Sequence, residues 1–128
     1  MAAIAPILIA LASFVLRIIN LGLPKGFVFD EVYYVDGARD LLKYGVEVDG
    51  TNPEFIVHPP VGKWLIASGI KLFGDSEFGW RFASAVFATL LILLFARLVH
   101  VLFYSPLLTA LGAALMALDG LLLVHSRT

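Results

Sequence analysis

Two acids stand side by side in Phe27-Val28-Phe29-Asp30-Glu31-Val32-Tyr33-Tyr34, just after a turn-forming Leu23-Pro24-Lys25-Gly26. A carboxylate at Asp30 could serve as a general base, taking the proton from an attacking hydroxyl. Successive side chains on a helix diverge by about 100°. One acid of the pair can therefore face a substrate while the other holds a neighbour. The same spacing also describes a plain helix start, with Asp30 as N-cap and Glu31 favoured by the helix dipole. Spacing alone favours the helix start. The two roles are compatible, because a capping carboxylate is well fixed.

Other charges stand where charges are costly. Arg17 and Asp119 fall inside apolar runs, where an ionisable group is by default functional or paired. Both lie roughly 8–9 Å below the same surface at ~1.5 Å rise per residue. That depth predicts a buried pair or a shared polar network; snorkelling of Arg17 to the interface is the alternative. Arg127 ends the last apolar run on the same side as the acid pair, where a cation can bind a lipid phosphate or simply flank the membrane. Lys63 could play a similar part. His58 could orient a carboxylate or hydroxyl, or pack at the entry to Pro59-Pro60. Trp64, Trp80, Tyr33 and Tyr34 read as interface anchors. With no cysteine and only His58, His100 and His125, scattered along the chain, no metal site is expected.

The elements that must position these residues are those of an all-α integral membrane protein. Of the 128 residues 60% are hydrophobic and 15% charged, and mean hydropathy is +0.93. Soluble domains are nearer half apolar and a quarter charged. A net charge of −1 without a basic face excludes nucleic acid as a partner. Apolar runs over about 2–23, 82–103 and 107–124 are each long enough to cross a bilayer. The first lacks the basic start and small-residue cleavage site of a signal peptide. Residues 24–80 form a charged loop too long to be structureless. Within it, Glu31 to Tyr44 reads as a short helix ended by Gly45, with Gly37 as a weak point, and Gly45 to Val57 as loop. Val61 to Phe73, entered through Pro60 at its first position and ended by Gly74, reads as an amphipathic helix along the membrane surface. Asp75 or Ser76 can cap the next helix, and Ser105-Pro106 is a cap-plus-first-residue signal for the last.

Phe29-Asp30-Glu31-Val32-Tyr33-Tyr34, His58-Pro59-Pro60-Val61-Gly62-Lys63, Phe78-Gly79-Trp80-Arg81, and Asp119-Gly120 with Ser126-Arg127 occur in this order. The set resembles the protein O-mannosyltransferase family, and its bacterial members most. The resemblance covers the chain from about residue 15 onward. It implies the N-terminal fragment of one large GT-C-type membrane glycosyltransferase domain in the cell membrane, lacking its C-terminal spans and inactive alone. Such enzymes move mannose from a polyprenyl-phosphate carrier to Ser or Thr of a secreted polypeptide; the lipid-linked donor is a substrate, and no cofactor is called for. By the same resemblance Asp30 is the candidate base, Glu31 has a neighbouring acceptor-side role, and Arg17 and Arg127 match the family's arginines in the first span and after the third. The developing charge on the leaving phosphate would be stabilised by a cation such as Arg127.

Topology carries a conflict. Lys25, Arg39, Lys43, Lys63, Lys71 and Arg81 outnumber Arg97 on the opposite face, which by the positive-inside rule places the loop in the cytoplasm. The resemblance places residues 24–80 outside, and the external placement is adopted. Two other functions fit parts of the pattern. One is a related transferase moving another sugar, such as aminoarabinose, to a lipid. The other is a small non-enzymatic membrane or transporter subunit, which would suit Arg17 and Asp119 but lacks the internal repeats of transporters.

Overall fold

A computed structural model describes residues 4–53 and 59–127. Helices α1 (Ile4–Ile18), α2 (Glu31–Tyr44), α3 (Pro60–Phe73), α4 (Glu77–Phe103), α5 (Pro106–Leu118) and α6 (Gly120–His125) account for nearly all regular structure. Between α2 and α3, β1 (Val48–Asp49) pairs antiparallel with β2 (Asn52–Pro53) as a minimal hairpin in the stretch expected to be loop. The chain divides into two compact units. One is built from the chain up to Asn20 together with Ser84–Arg127, the other from Leu21–Ala83.

The first unit packs through small residues. Ala10 of α1, Ile92 and Ala96 of α4, and Ala113 and Ala117 of α5 form its core. Alanines let apolar helices approach closely, which is how helices associate where no water is available to drive them together. Large apolar side chains point outward instead, including Leu8, Leu94 and Leu115. Helix α4, 27 residues long, is the one described helix long and apolar enough to cross a membrane. The other two expected spans are shorter. Asn20 takes a left-handed conformation (φ 56°) just beyond the end of α1, a position Asn tolerates better than most residues. Ser105 and Pro106 start α5 as expected, with Ser105 Oγ accepting the Leu108 N–H at 3.4 Å. The run 107–124 is not one helix. Asp119 adopts ψ 120° and its Oδ1 accepts the Leu122 N–H at 2.7 Å, so it ends α5 and caps α6. A short acid can offer the backbone this alternative to the helical ladder, and Gly120 beside it adds little helix propensity.

In the second unit the expected helix ends are found. Gly45 closes α2 in the left-handed region (φ 77°), donating its N–H to Leu41 O. Pro60 opens α3, and Gly74 closes it on Ile70 O. Ser76, not Asp75, serves the start of α4: its Oγ accepts the Gly79 N–H at 3.3 Å. Val35 and Ala38 of α2, Ala67 and Ile70 of α3, and Trp80 of α4 form the core. Trp80 is therefore no interface anchor, being only 7% exposed, whereas Trp64 and Tyr33 are open. A methyl group placed on Gly69 would strike the Gly79 carbonyl, and one on Gly79 would strike the Gly74 carbonyl.

Gly79→Ala should consequently lower stability by about 1–3 kcal/mol, the usual cost of overpacking. Gly62→Ala, whose new methyl meets nothing within 4 Å, should be neutral or stabilise by ~0.5–1 kcal/mol through helix propensity. Thermal melting of both variants in one detergent checks the contrast.

Candidate active site

The first turns of α4 organise the acid pair. The Arg81 side chain is completely buried. Its Nε and Nη2 donate to Glu31 Oε1 and Oε2 at 2.7 and 2.8 Å. Its Nη1 donates to Leu21 O and Pro24 O at 3.2 and 3.0 Å, and Nη2 also donates to Gly26 O at 3.0 Å. All five donors of the guanidinium are thereby used. One turn earlier, Glu77 takes the opposite polarity of the same segment. Its Oε1 accepts the Gly26 N–H at 3.1 Å, and its Oε2 pairs with Lys25 at 3.3 Å. Residues 21–26 are thus held by their carbonyls from Arg81 and by an N–H from Glu77.

This clamp separates the two acids. Glu31 is fully committed: besides Arg81, its Oε2 accepts the Val28 N–H at 2.7 Å. Asp30 occupies the N-cap position of α2 but makes no capping bond. An N-cap side chain reaches the helix N–H groups from extended backbone, whereas Asp30 has helical angles (φ −77°, ψ −2°). Its exposed carboxylate has no hydrogen bond or ion pair among the described residues. Phe29, immediately before it, is held at φ 51° and is 89% exposed. Left-handed backbone costs a residue with a Cβ about 1–2 kcal/mol, and little burial of the Phe29 ring offsets it. The arrangement leaves one carboxylate open, beside a second that is structural.

A second charged pair lies beneath α2. Lys63 of α3 bonds Glu47, and both side chains are buried. Gly37 of α2 lies against this pair: a methyl there would come within 3.0 Å of Glu47 Oε2 and Lys63 Nζ. Glu47 Oε1 has no partner among the described residues. At the surface, Arg39 forms two 2.8 Å bonds to Asp75 and lies 5.6 Å over the rings of both Phe27 and Trp80.

The remaining expected residues fall elsewhere. Arg17 is fully buried and donates through Nη1 to Ser13 Oγ and Ser13 O, while Nε and Nη2 are enclosed without a partner among the described residues. It neither snorkels nor pairs with Asp119. That acid is exposed and bound to the Leu122 N–H, because it caps α6 rather than lying within a continuous helix. Arg127 donates through Nη2 to Ile19 O at 2.9 Å, beyond the end of α1. His58 lies outside the described residues. Arg81 and Glu47 were not singled out as site residues by sequence reasoning. For Arg81 a signal exists: a cation in the first turns of a helix opposes the dipole and calls for a partner.

Residues 57–128 match the family model described as dolichyl-phosphate-mannose-protein mannosyltransferase. The chain belongs to that family. It is 40% identical over 125 residues to the polyprenol-phosphate-mannose–protein mannosyltransferase of Mycobacterium tuberculosis, covering 94% of this chain and 24% of the relative. Against the Mycolicibacterium smegmatis protein of the same name it is 38% identical over 129 residues, covering 98% and 25%. An undecaprenyl phosphate-alpha-4-amino-4-deoxy-L-arabinose arabinosyl transferase of Pseudomonas savastanoi matches more weakly, at 36% over 90 residues, covering 66% and 16%. The chain thus spans about a quarter of the length of the mycobacterial relatives it matches. No solved structure matches it.

Because the buried pair would lose one partner, Arg81→Met should destabilise the second unit by about 3–5 kcal/mol. Asp30→Asn, at an exposed and unbonded carboxylate, should stay within about 0.5 kcal/mol of the parent. Urea unfolding followed by tryptophan fluorescence distinguishes the two.

Proposed function

We propose that these residues carry the general base of a polyprenyl-phosphate-mannose–protein O-mannosyltransferase. Asp30 takes the proton from a Ser or Thr hydroxyl as its oxygen bonds to the anomeric carbon of mannose. The bond from that carbon to the carrier's phosphate oxygen breaks, and the electron pair leaves with the polyprenyl phosphate. Glu31 is no second base, since Arg81 and Val28 occupy its oxygens. It holds the helix start so that Asp30 stays open. Arg127 is assigned to the carrier phosphate, where a cation favours the departing charge. His58 retains its expected part in orienting the acceptor. Lys63 is left out of the donor site, because Glu47 already takes its charge.

The observation that carries the reading is family membership together with the one uncommitted carboxylate of the acid pair. The aminoarabinose alternative rests on weaker relatives. Since the chain covers about a quarter of the mycobacterial enzymes, the rest of the donor pocket is assigned to further spans of the same enzyme. In this reading α1, α4 and the α5–α6 pair are three crossings of the cell membrane, and residues 24–80 are external. The outward-facing leucines of the first unit, such as Leu8 and Leu115, suit contact with lipid.

In the full-length enzyme, Asp30→Asn should lower mannose transfer to a Ser/Thr peptide by roughly 10²–10⁴-fold, the span of general-base contributions, with folding intact. Unchanged turnover would remove Asp30 as the base. A cysteine at Asn52 should react with a membrane-impermeant maleimide added to intact cells; reaction only after permeabilisation would put the loop inside.

A further inference from the structure

The first unit contains a cavity of about 230 Å³ lined by Pro6, Ile7, Leu93, Ala96, Arg97, His100 and Thr109. Its walls come from the start of α1, the last turns of α4 and the start of α5. None of its lining residues belongs to the acid pair or to the Arg81 clamp. Ligand pockets that enclose a whole small molecule run to about 300–1,000 Å³. This one therefore has room for part of a ligand whose remainder stays outside.

Its polar groups are concentrated and of one sign. Arg97 is exposed and has no ion pair or hydrogen bond among the described residues. No acid occurs between Glu77 and Asp119 to neutralise it. Thr109 Oγ1 donates its single proton to Ser105 O at 2.7 Å. Thr109 Oγ1 also lies within hydrogen-bond distance of His100 Nδ1, at 3.3 Å. The imidazole orientation is fixed by that contact. The cavity is an apolar slot with an uncompensated guanidinium and a fixed imidazole at one end.

We propose that this slot holds an anionic phospholipid of the surrounding bilayer. An acyl chain lies along Ile7, Leu93 and Ala96, and the phosphate is paired with Arg97, with His100 beside it. Charge complementarity decides the occupant. A zwitterionic lipid brings a choline cation that already balances its phosphate and leaves the Arg97 charge uncompensated overall, and an isolated inorganic phosphate would leave the apolar wall uncovered. The assignment requires only that the chain sits in a bilayer and is independent of the sugar-transfer reading.

The test uses the full-length chain in vesicles of phosphatidylcholine, with and without phosphatidylglycerol, each lipid carrying a photoactivatable acyl chain. Phosphatidylglycerol should label peptides containing Ile7 and Leu93 in preference to phosphatidylcholine. Arg97→Gln should cut that labelling by about tenfold, the worth of one charge-assisted bond, while Arg97→Lys retains most of it. Equal labelling by both lipids, or labelling unchanged by Arg97→Gln, overturns the proposal. So does the absence of any label at these residues, which would mean protein fills the slot. Displacement of the label by millimolar inorganic phosphate would reassign the site to free anions and also overturn it.

Discussion

A fully buried guanidinium admits no half measures. Stripped of water, each donor left without an acceptor costs more than a typical hydrogen bond contributes. Arg81 meets that constraint with the Glu31 carboxylate and three backbone carbonyls. Those carbonyls belong to Leu21, Pro24 and Gly26, in a stretch with no regular structure to satisfy them. The arginine therefore supplies hydrogen bonds that a helix or sheet would otherwise provide, and the path of residues 21–31 follows from where α4 begins.

The division of labour between the acids follows from the same constraint. A single acid could not both neutralise Arg81 and remain available to a hydroxyl. Adjacent acids on diverging directions can. Glu31 is used up inside the protein, and the backbone of Asp30, already helical, keeps its side chain from folding back to cap α2. The exposed left-handed Phe29 is the local cost of that geometry. Backbone strain of this kind tends to persist where surrounding bonds over-determine it, and here the Val28 and Gly26 contacts do so.

Helix ends were legible in the sequence because they depend on single residues with local chemistry: Gly45, Pro60, Gly74, Ser105 and Pro106 do what their types dictate. The family was legible through ordered motifs. What escaped was partnership at a distance. Hydropathy read Trp80 as an anchor and Lys63 as a surface cation, whereas tertiary packing buried both. Asp119 looked like a charge inside a helix because composition does not reveal that an acid can end one helix and start another. Glu47, between two valines, gave no sign that it would meet Lys63.

Gly37 illustrates how such partnerships bind separate parts of the chain. In the sequence it is a flaw in α2. In the folded unit its missing side chain is the space that Lys63 and Glu47 fill. The three positions lie on α2, on the stretch before β1 and on α3, yet they share one small volume and one charge balance. Natural variation should treat them as a linked set. A larger residue at 37 is tolerable only with a shorter side chain at 63, and an uncharged residue at 63 only with a neutral one at 47. Inheritance of the three together, rather than any one alone, is what this corner of the protein demands.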